Sequence, residues 1–350
     1  MIYKNVILEF TGVTFLYSLI FELIYINDSL TNINYNKQMI LLYIGGILVK
    51  DDSDKIRGTV KKLKDTYNFR GPLHFTDFSN LYSIINAGYL CSRDLCYANN
   101  IEFHDSASEE AINSIPGKIK GCTRFYYVGK NNFEAMKRLN IPVYLLFNEE
   151  IIYLDLAIYT DGNADFYDTN FGMDFDFFNY DVDWDVVFSE RSASECLNGA
   201  LKELFCRKKQ SELLIDEPVP LRQLKNIIFR CNTDYKRACS LFGKNKMYLV
   251  EPDMFINHKN YVLDYNIIFN SAMDQEVFIL HFSTKDPVKN DIRHEYALYD
   301  ISDNLFRIAK VNFLESDSTD FHVEVANLPF LPIKFKFWFY GDLCIEEIIG

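Results

Sequence analysis

Leu73-His74-Phe75-Thr76-Asp77-Phe78-Ser79-Asn80-Leu81-Tyr82-Ser83-Ile84-Ile85-Asn86-Ala87-Gly88 changes character midway. The first residues read as a strand. Asp77 or Ser79 then suits an N-cap, the pattern turns helical, and Gly88 closes it. A His beside a Thr at the end of such a strand can donate and accept hydrogen bonds around a sugar-phosphate ligand. A structural histidine capping a strand gives the same pattern. Working outward, Asp51 to Asp65 reads as a surface helix carrying Ile56, Val60 and Leu63 at helical spacing. Phe125–Val128, Val143–Phe147, Tyr153–Tyr159, Leu213–Ile215 and Ile227–Arg230 read as strands. Cys196–Cys206 reads as a helix with Leu197, Ala200, Leu201 and Leu204 on one face. Helices mixed with strands make the central chain α+β. Past residue 260 short β runs dominate, among them Glu276–Ser283, Phe321–Val325 and Ile333–Tyr340, which predicts a small separate β-rich domain.

Composition narrows the classes. The 350 residues are 49% hydrophobic and 24% charged, as in an ordinary globular protein. A net charge of -13 argues against a protein that coats nucleic acid non-specifically. That charge is uneven: residues 261–350 hold 7 Lys/Arg against 15 Asp/Glu, whereas residues 1–67 hold 8 against 7. The eight cysteines form no C-x-x-C pair, which speaks for reduced thiols and against a zinc ribbon. The apolar stretches Phe10–Phe21 and Met39–Val49 fall short of the ~20 residues of a membrane span. A soluble, cytoplasmic protein without membrane contact is expected.

Three further motifs carry chemistry. Gly121-Cys122-Thr123-Arg124-Phe125-Tyr126-Tyr127-Val128 opens a stretch in which Lys118–Arg138 holds six basic residues, one acid and several aromatics. Aromatic faces stack bases and cations hold phosphates, so a nucleic-acid platform fits. A buried strand followed by a solvated helix face fits equally. Tyr159-Thr160-Asp161-Gly162-Asn163-Ala164-Asp165 is a turn by its own backbone chemistry. Arg207-Lys208-Lys209-Gln210-Ser211-Glu212-Leu213-Leu214-Ile215 sets a carboxylate at the start of an apolar strand, just after three cations. Cations keep a carboxylate ionised, as suits a group that stabilises positive charge on a reacting sugar. A solvent-facing glutamate at a strand edge is the plain alternative.

These motifs in this order resemble the DarT family of nucleic-acid ADP-ribosyltransferase toxins, from about Leu73 to about His258. The resemblance includes H-x-T with Asn80-Leu81, the aromatic strand, T-D-G-N-A, Asp183-Trp184, and the K-K-Q-S-E-L-L-I strand followed by Pro218. It implies an ADP-ribosyltransferase fold, two small sheets splayed apart with NAD in the cleft between them. Residues 1–67 become an N-terminal extension, 68–260 the transferase domain, and 261–350 an acidic accessory domain. By the same resemblance Glu212 is the catalytic glutamate. His74, Phe75, Thr76 and Tyr126 would bind the cofactor, with Ser83 and the Cys91–Arg93 stretch near the dinucleotide. Breaking the N-glycosidic bond of NAD leaves an oxocarbenium-like ribose, the charge problem that glycosidases meet with carboxylates. The family also carries a catalytic arginine between the Gly88 region and the aromatic strand, yet Asp94–Thr123 contains none. Of the flanking Arg93 and Arg124, Arg93 takes that role here. Arg124, Lys130, Asn163, Lys208 and Lys209 are assigned to the nucleic-acid strand.

The implied protein is the toxin of a toxin–antitoxin or phage-defence system. It would transfer ADP-ribose from NAD, as substrate and without a metal, onto a base of single-stranded DNA. The alternatives are a messenger-RNA base, a protein acceptor, or NAD hydrolysis alone. A cognate antitoxin is the expected protein partner. The Asp165–Asp185 stretch, with seven Asp and no Lys or Arg, reads as a solvated loop or as a surface for a basic antitoxin. The run Phe335-Lys336-Phe337-Trp338-Phe339-Tyr340 is too apolar for an exposed edge, so it is expected to pack on the transferase domain or on a partner.

Overall fold

A computed structural model describes residues 49–105, 119–129, 137–191, 199–256, 259–270, 277–288, 294–311, 318–328 and 331–350. The expected surface helix is α1 (Ser53–Tyr67), which buries Ile56, Val60 and Leu63 and ends on Asn68 in the left-handed region. The deciding stretch folds as read. Strand β1 (Leu73–Asp77) runs into a short 3-10 turn capped by the Asp77 carboxylate, then into α2 (Leu81–Ala87), closed by Gly88 at φ 75°. The Asp77 carboxylate also accepts from the Asn140 and Ile141 amides, which ties this turn to the next strand. A two-residue strand β2 (Tyr89–Leu90) and the six-residue helix α3 (Arg93–Ala98) follow.

The central region is built on β3 (Thr123–Tyr126), β4 (Pro142–Phe147), β5 (Ala157–Thr160), β6 (Phe171–Gly172), β7 (Glu212–Ile215), β9 (Leu224–Phe229) and β10 (Tyr248–Val250). The expected pair of splayed sheets is instead one eight-stranded sheet, in the order β10-β9-β4-β1-β3-β7-β5-β6. Its halves are joined by a single register pair, Leu73 opposite Tyr126. The ladder stops there because the His74 ring takes the next carbonyl: Nδ1–H donates to the Arg124 oxygen at 2.9 Å. Strands β4 and β7 are buried along their whole length, which explains their unbroken apolar runs. The short strand β8 (Val219–Pro220) pairs β2 beside this sheet.

Two local expectations are corrected. Residues 165–185 expose five of their seven Asp but are not solvated throughout: they bury Phe178, Val182 and, in the short helix α4 (Trp184–Val187), Trp184, whose indole N–H donates to the Phe178 carbonyl. Seven carboxylates hide an aromatic spacing that reaches the core. The helix expected at 196–206 is α5 (Gly199–Lys209), and its apolar face is not covered, with Leu201 52% and Leu204 40% exposed. Polar contacts at its C-terminal end hold it. Arg207 pairs with Asp168, Lys208 pairs with Asp183, and the Arg207 carbonyl accepts from the Asn163 amide. Cys196 and Leu197 lie outside the described residues, as does Lys130.

After helix α6 (Asn232–Phe242) the chain forms two facing sheets. One contains β11 (Val262–Asn270), β12 (Val277–Thr284) and β15 (Asp320–Val325). The other orders β14 (Leu305–Val311), β13 (His294–Tyr299), β16 (Ile333–Phe339) and β17 (Asp342–Ile349). The apolar run at 335–340 therefore packs within this region, on the facing sheet, rather than on the central eight-stranded one. Strand β16 is interior, and Phe335, Phe337 and Phe339 are buried with Phe278, Leu280 and Phe282 of the facing sheet. Its alternate residues Lys334 and Lys336 pair outward with Asp303 and Glu346. Contact with the central region runs through α6 and the residues just before it. Arg237 donates to the Leu343 carbonyl at 2.5 Å, Lys236 pairs with Asp264, and the Arg230 guanidinium lies 4.0 Å from the Tyr261 ring centre. No helix among the described residues is long and apolar enough to cross a membrane.

Candidate active site

Register assembles the centre of the site. Tyr126 of β3 stands opposite Glu212 of β7, and Arg124 stands opposite Leu214. Side chains two apart share a face, so Arg124 and Tyr126 lie on the face of Glu212, one diagonal and one directly across. The T-D-G-N-A turn closes over the same carboxylate. The Glu212 amide donates to the Thr160 hydroxyl at 2.7 Å, that hydroxyl donates to the Gly162 carbonyl, and the Ala164 amide reaches a Glu212 oxygen at 3.4 Å. Gly162 has no room for a side chain there, since a Cβ would stand 2.9 Å from Arg207 Cγ.

Glu212 is fully buried, not an edge carboxylate, because β7 is an interior strand between β3 and β5. The cations just before it in the chain do not hold it. Its ion partner is Arg124, with Nη1 at 3.7 Å from Oε2, and Arg124 also pairs with Asp165 at 2.7 Å. Burial raises the Glu212 pKa to about 7, opposed by the Arg124 charge and reinforced by Asp165. The expectation of a carboxylate held firmly ionised by neighbouring cations is thus corrected: near pH 7 it is poised between its two forms. Two carboxylates around it keep Arg124 charged and its pKa raised, against the cost of burial. Glu212 Oε2 and Arg124 Nη2 are buried without a hydrogen-bond partner among the described residues.

Arg124 and Asp165 line a cavity of about 380 Å³, and Glu212 lies behind that wall, against Arg124. The cavity walls include His74, Phe75, Thr76, Ser83, Tyr126 and Asn163, so all the residues expected at the cofactor meet there. The His74 ring donates from Nδ1, which leaves Nε2 as an acceptor, and burial holds its pKa below the usual imidazole value. Phe75 stacks on Tyr126 with ring centres 5.3 Å apart. Asn80 ties the far wall to β1: its amide nitrogen donates to the Thr76 hydroxyl and the His104 carbonyl, and its oxygen accepts from the His104 amide. Asn163 is spent on the turn, donating to Gln210 at 2.6 Å and accepting from the Asp165 amide.

The structure redistributes the expected cations. Arg93 lines the cavity but is held bidentately by Asp105, at 2.5 and 2.9 Å, and the guanidinium beside Glu212 is Arg124's. Lys208 and Lys209 are not brought to the cavity. Lys208 pairs with Asp183, and Lys209 donates to the Ser189 and Arg191 carbonyls. Lys120 and Arg138, exposed at the cavity wall, were passed over as individual residues although the basic-aromatic stretch contains both. Asp165 was passed over too, and no signal short of strand register marks it. Among the described residues no group of three or more His, Cys, Asp or Glu is placed to hold a metal.

The DarT family model, described as ssDNA thymidine ADP-ribosyltransferase, matches residues 73–256. Among solved structures, Thermus sp. 2.9 DarT in complex with NAD+ is 12% identical, with a TM-score of 0.42 over 53% of this chain and 96% of that one. The same protein in complex with ADP-ribosylated ssDNA gives 12% identity and a TM-score of 0.44, over 54% and 97%. Thermosipho africanus DarTG in complex with ADP-ribose gives 16% and 0.46, over 53% of this chain and 51% of that one. No curated protein matches the chain.

Proposed function

The chain belongs to the DarT family of ssDNA thymidine ADP-ribosyltransferases, NAD-dependent enzymes, and we propose that it transfers ADP-ribose from NAD to a base of single-stranded DNA in the cavity beside Glu212. The observation that carries this reading is a guanidinium on the cavity wall with a buried carboxylate directly behind it, each with an unsatisfied polar atom. Both atoms are desolvated in advance, so each interacts strongly with charge of the opposite sign that develops beside it.

As the bond between nicotinamide and ribose breaks, nicotinamide leaves with the bonding electrons and positive charge grows on the ribose. The Glu212 carboxylate stabilises that charge. The base nitrogen then bonds to the ribose carbon and gives up its proton, which Glu212 accepts. A pKa near 7 suits both duties, since the group is substantially ionised yet basic enough to take a proton. Arg124 keeps a positive charge against Glu212 and Asp165 and is assigned the arginine role in place of Arg93. His74 Nε2 accepts from a ribose hydroxyl, and Phe75 with Tyr126 offers a stacked aromatic surface. Lys120 and Arg138 offer phosphate contacts at the cavity, which a chain of net charge -13 supplies locally. Such an activity suits a toxin kept in check by an antitoxin protein.

Labelled NAD incubated with separate single-stranded DNA, RNA and protein pools tests the reading. Label is expected in the DNA and absent with Glu212→Gln. Label in RNA or protein alone overturns the DNA assignment. Growth arrest on expression, relieved by the same substitution, tests the toxin role.

A further inference from the structure

Two thiols on the cavity wall have no part in this chemistry. Cys91 leaves β2 and Cys96 lies in α3, and their sulfurs are 3.2 Å apart. Both line the cavity, and both are half-buried. We propose that Cys91 and Cys96 form a reversible disulfide that closes the NAD site, resting on the assignment of this cavity to NAD.

The bond length requires about 2.05 Å, so the sulfurs must approach by roughly 1 Å. Helix α3 can yield that distance. It buries no residue, and its ties are the Ser92 hydroxyl on the Leu95 amide, the Arg93–Asp105 pair, the Ile101 amide on the Cys96 carbonyl, and Tyr97 against Phe103, which belongs to the same wall. What it drags is the cavity wall, since Arg93, Ile101, Phe103 and Asp105 all belong to it. The opposite wall stays with β1 and the main sheet.

The two sulfurs are chemically unequal. The two sulfurs share a proton across their 3.2 Å contact, which lowers the pKa of Cys96 and raises that of Cys91, and the Arg93 charge favours the thiolate at Cys96 against burial and Asp105. Cys96 is accordingly the nucleophile. With a hydroperoxide as oxidant, the Cys96 thiolate attacks the peroxide oxygen, giving a sulfenic acid and a hydroxide (or alkoxide) that takes up the proton Cys96 released and leaves as water (or alcohol). The Cys91 sulfur then attacks the sulfenic sulfur, its proton leaves with the hydroxyl as a second water, and the disulfide remains. The peroxide is reduced by two electrons and the two thiols are oxidised by two. Cys122 also lines the cavity, but burial pushes its thiol up to about 12, and it serves as an internal control.

The full chain is treated with hydrogen peroxide, mapped by mass spectrometry, and titrated with NAD in a calorimeter. The expected result is a peptide spanning residues 91 and 96 lighter by two hydrogens, with Cys122 still free. NAD affinity should fall at least tenfold and return with dithiothreitol. Cys96→Ser, whatever its own affinity, should be unmoved by peroxide. Absence of the linkage overturns the proposal, as does a linked protein that binds NAD like the reduced one. A reduced protein that binds no NAD refutes the cavity assignment itself, and with it the gating, even where the disulfide forms.

Discussion

Glu212→Gln separates catalysis from stability within one residue. Glu212 is fully buried, and its pKa rises from 4.5 in an unfolded chain to about 7 in the fold, mainly through burial. Between those values the folded protein keeps a proton that the unfolded chain has released. Stability therefore falls as pH rises through this window, and the whole penalty stands above pH 7. At 1.36 kcal/mol per unit the penalty is on the order of 3 kcal/mol. Gln keeps the volume and accepts the Ala164 and Tyr126 hydrogen bonds without ionising. Well above pH 7 the variant should thus be more stable than the wild type by up to about 3 kcal/mol, and the gain should vanish below pH 4.5. Transfer should drop at least a hundredfold, as when one preorganised charge-stabilising group is lost. Urea melts of both proteins across pH, with transfer from labelled NAD, read the two effects. A variant less stable than wild type at high pH refutes the burial argument. One retaining more than about a tenth of the activity refutes the catalytic assignment.

Arg124→Lys should reduce transfer by about a hundredfold, because an ammonium cannot serve two carboxylates in the guanidinium's geometry, while Arg93→Lys should stay within about tenfold; steady-state rates giving the reverse order would return the arginine role to Arg93. The wild-type transfer rate should fall as pH drops through about 7, and Arg124→Ala should move that limb upward, since the positive charge that holds the Glu212 pKa down is gone; a pH–rate profile with an unmoved limb contradicts this. His74→Ala should weaken NAD binding in the calorimeter more than it weakens strand binding. Neutralising Lys120 and Arg138 together should flatten the salt dependence of strand affinity by about one to two units, whereas neutralising Lys208 and Lys209 should leave the slope alone; fluorescence anisotropy over a salt series distinguishes the pairs.

What could be read in advance, and what could not, follows from the range of each interaction. The Asp77 cap, the Gly88 stop and the buried face of α1 are contacts within a few residues of chain, and each is legible from the letters. The alternation of Phe335, Phe337 and Phe339 with Lys334 and Lys336 likewise announces a strand with one covered face. What covers that face is the β11-β12-β15 sheet, brought by chain reversals that leave no local mark in the sequence.

The same distinction governs the cation of the site. Arg207, Lys208 and Lys209 adjoin Glu212 in the chain, but a helix end stands between them, and the turn at 210–211 sends those side chains toward Asp168, Asp183 and the Ser189 carbonyl. Arg124 is 88 positions away and lies across one strand spacing, diagonal to the carboxylate. Its place depends on the four-pair register of β3 on β7, whose last pair uses Tyr126, the residue that also meets Leu73 in the one pair joining the sheet's two halves. Sliding β3 by one residue would turn Arg124 and Tyr126 to the opposite face and leave Glu212 buried without a cation. The pair that closes the sheet and the pairing that builds the candidate active site are therefore one structural decision, in which Tyr126 takes part on both sides.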